Sequence, residues 1–165
     1  MNIATFLKQE LEQEKAAVLK TLERVDFEKG NWKPHEKSMG IITLATHVAD
    51  LCNWPARIIQ RDTLDFSTED LSRPDIQSGT ALAAYAASNL SQTMDALHHW
   101  DAIHYETVWT LRVKDQVLMQ LPKAMATRRI CQNHTIQPRA QLTVYLRMRD
   151  IPVPAIYGPS ADEMN

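Results

Sequence analysis

Glycine is scarce in this chain, 4 in 165 residues, and that scarcity argues against a β fold built from many tight turns. Cysteine is scarcer still: Cys52 and Cys131 are too few for a disulfide framework. No run of about 18 apolar residues occurs, so no segment should cross a membrane. The N-terminal stretch carries Lys8, Glu10, Glu12 and Glu14 where a secretory signal needs an apolar core, which points to a reducing, cytoplasmic setting. A basic field is absent as well. With a formal net charge of -2 the counterion-release term that drives nucleic-acid binding is missing, so neither nucleic acid nor membrane is expected as a partner.

What the chain does have is helical periodicity. Hydrophobic residues make up 44% of the 165, enough for one domain spanning 1–165, since a chain of this size buries roughly 70% of its unfolded surface. From Ile3 to Val25, apolar residues recur at Ile3, Phe6, Leu7, Leu11, Val18, Leu22 and Val25 with Lys and Glu between them, the pattern of an amphipathic helix. Gly30, Asn31 and Pro34 interrupt it, and Ser38 offers a capping oxygen for a second helix over about 39–60, in which Pro55 should introduce a kink. The polar stretch 62–77 reads as a surface loop. A third helix is expected over about 78–100.

Between Tyr105 and Leu121 the period shortens toward two around Lys114 and Asp115, which predicts a short hairpin. Pro122 suits the first turn of a fourth helix reaching about Asp150, and the prolines from Pro152 onward make the tail 152–165 non-helical. Four amphipathic helices can bury their stripes only against one another, so the expected fold is all-α: a four-helix bundle with a hairpin between helices three and four. The long loop permits a crossover topology. Repeats and low-complexity segments are absent.

Two histidines fall on apolar faces. His47 has Leu44 three residues before it and Leu51 four after; His134 is flanked at similar spacing by Ile130, Cys131 and Pro138. Both are predicted to point inward. One such residue alone is usually a hydrogen-bonded core histidine, but two inward imidazoles from two helices are the raw material of a metal site in a bundle core. His35, His98, His99 and His104 lie near loops or helix ends and are expected in solvent.

The segment Asn133-His134-Thr135-Ile136-Gln137-Pro138-Arg139-Ala140-Gln141-Leu142-Thr143-Val144-Tyr145-Leu146-Arg147 resembles the last-helix motif of the DinB family. The tail from Pro152 to Ser160 and the run Trp32-Lys33-Pro34 ahead of His47 resemble the family in the same order. The resemblance implies a bundle, often a homodimer, holding a divalent nickel or zinc ion with three histidines, one on the second helix and two spaced i, i+4 on the last. His47 and His134 match two of these. The third position is Pro138, which has no ligand atom, and Gln137 stands where a further histidine is common.

Cys131 as a thiolate or Asp50 as an oxygen donor are the substitutes the spacing allows, although an unpaired cysteine in such a position is more often a small buried hydrophobe. Arg139 reads as a surface or ion-pair residue, Gln141 as cavity lining, and Tyr145 as a core residue whose phenol could anchor a ligand. The implied activity is a thiol-dependent transfer or hydrolysis in which a metal makes a cofactor thiol nucleophilic. The alternatives are a bundle that binds a small molecule without catalysis and a dimeric structural protein.

Overall fold

The computed structural model describes residues 2–164, with the Cys131 side chain outside the description. Helix α1 runs Ile3–Glu23, opened by Asn2, whose Oδ1 accepts from the Thr5 amide at 2.8 Å. Leu7, Val18 and Leu22 point into the core as the periodicity requires, whereas Phe6 is left exposed. The expected second helix is two helices, α2 over Ile41–Leu51 and α3 over Trp54–Gln60. Pro55 kinks nothing: it sits in the first turn of α3, where a missing N–H costs no hydrogen bond.

The break after α2 is stabilised from outside. Asn89 Nδ2 donates to the Ala49 carbonyl at 2.9 Å and Thr93 Oγ1 to the Cys52 carbonyl at 2.7 Å, so two buried polar side chains take up acceptors that a helix end leaves unsatisfied. The start of α2 also differs from expectation. Its cap position is Gly40, and the open amides of Ile42 and Thr43 donate to Asn31 Oδ1 at 2.9 and 3.2 Å, so Asn31 does the work expected of Ser38. A Cβ on Gly40 would lie 2.1 Å from that oxygen.

The predicted loop 62–77 contains a strand, β1 over Thr63–Asp65, and the chain is therefore not all-α. β1 pairs parallel with β2 (Val108–Val113), which pairs antiparallel with β3 (Gln116–Pro122), giving a three-stranded sheet of order β1-β2-β3. The hairpin was legible because it repeats for six residues; a three-residue strand has no period to read. Lys114 takes a positive φ of 52° at its turn.

Helix α4 spans Gly79–His98, close to expectation, with Ser78 Oγ accepting from the Ala81 amide. The last helix is divided: α5 over Lys123–Thr127, a π-helical segment over 128–133, and α6 over His134–Met148. Pro122 precedes α5 as its cap rather than lying in its first turn. Pro138 lies inside α6, where it cannot donate to the carbonyl of His134. A wide π turn lies directly upstream of this helix.

The main core joins Val18, Leu22, Leu44, Val48, Leu82, Leu90, Leu142 and Leu146, each contributing about 1.5–3 kcal/mol by burial. α1 packs on α4 and α2 on α6, two pairs of helices distant in sequence, while α3 packs on α4, the next helix along the chain. A smaller cluster around fully buried Trp109 fastens the sheet to α3 and the π segment. Among the described residues no helix is long and apolar enough to cross a membrane.

The close approach of α4 to the end of α1 depends on Gly79, whose Cβ would fall 2.4 Å from the Glu23 carbonyl oxygen and 2.7 Å from that of Val25. Gly79→Ala is therefore expected to destabilise by about 1–3 kcal/mol, although alanine is the better helix former by about 1 kcal/mol. Urea denaturation checks the sign, and a gain in stability would mean that the two backbones separate at little cost.

Candidate functional site

α2 carries His47 one turn after Leu44, and α6 opens on His134. The fold brings these residues, 87 apart in sequence, to an Nε2 to Nε2 distance of 3.4 Å, with ring centroids 5.2 Å apart and planes inclined at 61°. Neutral rings at this distance hold one another by a single N–H···N hydrogen bond, one imidazole donating and the other accepting. His47 is half-buried. His134 is exposed, contrary to the expected inward position. The π turn accounts for the difference: its extra residue per turn shifts the phase of the helix, so the spacing to Ile130 and Cys131 no longer defines the face of His134.

The pair forms part of the wall of an open cleft of about 310 Å³ with Lys37, Gln137, Pro138, Gln141 and Tyr145. Tyr145 is 6% exposed and packs edge-on against Trp32 with centroids 5.8 Å apart, so it is both core and cleft wall. On its other side His47 borders a second cleft of about 210 Å³ containing Asp50, Trp54, Phe66, Arg73 and Tyr85. The sequence reading missed this compartment. Tyr85 shares a helical face with Leu82 and Asn89 and was open to discovery by spacing, whereas Arg73, in an irregular segment, was not.

The candidates for a third ligand fare differently. Asp50 is committed: its Oδ2 pairs with Arg73 at 2.6 Å, and its Oδ1 accepts from the Tyr85 hydroxyl at 3.0 Å. The Cys131 side chain lies outside the described residues. Among the described residues no three His, Cys, Asp or Glu side chains are grouped to hold a metal ion. The histidine pair by itself has suitable spacing, because two nitrogens at about 2.0–2.1 Å from a tetrahedral zinc are about 3.3–3.4 Å apart. A catalytic centre needs three protein ligands, and among the described residues no third His, Cys, Asp or Glu joins the pair.

Arg139, next to Pro138, is no surface residue. At 2% exposure its guanidinium pairs with Glu14 of α1 and donates to the Tyr157 hydroxyl at 2.8 Å, while that hydroxyl donates to Glu14 at 2.7 Å. The triad ties α1, α6 and the tail together behind the cleft. Cys52 is buried, and burial, reinforced by the charge of Asp50, pushes its thiol up to about 12, leaving no reactive thiolate. His35, His98, His99 and His104 are exposed, as expected.

Both rings of the pair are held below the ordinary imidazole value. Partial loss of hydration is the main cause at each; at His47 the neighbouring His134 and Arg73 add to it and Asp50 opposes it. Below pH 6.5 the unfolded chain takes up protons that the folded pair resists, so stability present above that value is lost as pH falls. Denaturation midpoints should drop between pH 7.5 and 5, and drop less in a His47→Gln/His134→Gln double variant. An identical pH slope in the variant would place the effect elsewhere.

Helices around a two-sided cleft, a small sheet and a histidine pair make up a mostly helical fold similar to that of solved DinB-like proteins. Two solved structures share the fold. The DinB-like protein YjoA of Bacillus subtilis superposes with a TM-score of 0.72 at 15% identity, covering 93% of this chain and 99% of that one. A DinB-like protein of Bacillus cereus ATCC 10987 gives a TM-score of 0.67 at 17% identity, covering 92% and 95%. No protein-family model and no curated protein matches the sequence.

Proposed function

We propose that this chain is a descendant of the DinB family that binds a small molecule in the cleft beside His47 and His134 and has given up the family's metal-dependent catalysis. One observation carries the reading: the position four residues after His134, where the family resemblance implies a third ligand, is Pro138, and Asp50, the nearby oxygen donor, is held by Arg73 and Tyr85. Two imidazoles grip a divalent ion far more weakly than three. In this reading the histidines serve as hydrogen-bonding wall groups, Gln141 orients the ligand and Tyr145 closes the base of the cleft. The motif around His134 and the shared fold support the descent.

A second reading, a thiol-dependent transferase or hydrolase with zinc or nickel on a reduced ligand set, is favoured by the 3.4 Å nitrogen separation. Elemental analysis of protein purified without a histidine tag, alongside His47→Ala, decides between them. We expect far less than one metal per chain in both after dialysis against zinc or nickel. Stoichiometric metal that disappears in His47→Ala would establish the second reading.

A further inference from the structure

We infer that the cleft beside the histidine pair receives the oxyanion group, carboxylate or phosphate, of a small organic molecule. This rests on the ligand-binding reading above and adds the chemical class of the ligand. The support is the make-up of the wall. Lys37 lines the cleft, and no aspartate or glutamate does. Asp50, three residues from His47, belongs to the other cleft and has both oxygens engaged. A cation entering would meet a like charge with no counter-charge to offset it. An oxyanion would meet the exposed Lys37 ammonium at the cleft wall, a charge-assisted hydrogen-bond partner.

Donors complete the case. The side-chain amides of Gln137 and Gln141 stand in the wall with the two imidazoles. Tyr145, only 6% exposed, lines the same cleft, so its hydroxyl is a further donor in the wall. Met39 and Pro138 supply apolar wall. The volume of about 310 Å³ sits at the small end of ligand pockets, which suits an acid or phosphate ester with a short apolar body.

The test uses the full chain, stripped of metal and dialysed, with its metal content measured first. Inorganic phosphate and propionate are titrated separately at constant ionic strength while the side-chain amides of Gln137 and Gln141 are followed by ¹⁵N NMR. At least one anion should produce saturable shifts there, and the tighter of the two identifies the headgroup. Lys37→Gln should weaken binding by about tenfold or more, as loss of a charged hydrogen-bond partner implies. Tyr145→Phe should weaken it several-fold, and Lys8→Gln, on α1, should leave it unchanged. Absence of a saturable shift with either anion, or wild-type affinity in Lys37→Gln, overturns the inference. Stoichiometric metal in the starting material would instead overturn the proposed function, so the two failures are read separately.

Discussion

Pro138→His is expected to raise affinity for zinc or nickel at least about a hundredfold, equivalent to roughly 2.7 kcal/mol. The new imidazole would lie four residues after His134, on the same face of α6 and at the edge of the cleft that already holds His47. The existing pair, 3.4 Å apart at Nε2, supplies two corners of a tetrahedron, and the variant supplies the third while leaving a fourth position open. Removing the proline also returns an N–H to the interior of α6, so a Pro138→Ala control is needed to separate ligation from helix repair. The alanine variant should gain stability without gaining metal. Competition against a chromogenic chelator reads the affinity, and equal metal binding by all three proteins would show that position 138 is not the missing corner.

Glu14→Leu is expected to cost about 3–5 kcal/mol, the penalty for a buried charge left without its partner. Arg139 is 2% exposed and Glu14 is its carboxylate partner, while Tyr157 bonds to both. For a chain of this size the loss corresponds to a fall in Tm of roughly 6–20 °C. The double variant Glu14→Leu/Arg139→Leu should recover most of it, because removing both members of a buried pair is often close to neutral. Thermal denaturation of the three proteins checks this. A single-variant loss below about 1 kcal/mol would mean that Arg139 finds water or another acceptor once Glu14 is gone.

Long periodic segments were readable: α1 and α4 lie within two residues of where their apolar stripes end, and the hairpin falls where the period shortens. The errors share a cause. Pro55 was read as a kink, yet Asn89 and Thr93 reach across from α4 to satisfy the end of α2, and a new helix begins at Trp54. β1 is too short to carry a pattern and exists because β2 offers it a partner. The π turn before His134 breaks the 3.6-residue arithmetic on which the inward placement of that residue relied.

The sequence by itself determined the helical class, the small hairpin and the two histidines on apolar stretches, since all of these follow from residue identity and local spacing. The pairing of the two imidazoles was expected and the fold realises it; tertiary structure alone decided that His134 is exposed, that Asp50 is locked to Arg73 and Tyr85, and that Arg139 is buried. Each of these depends on contacts between distant parts of the chain. Periodicity reports which face a residue occupies on its own helix, but what stands opposite that face is settled only when the helices pack.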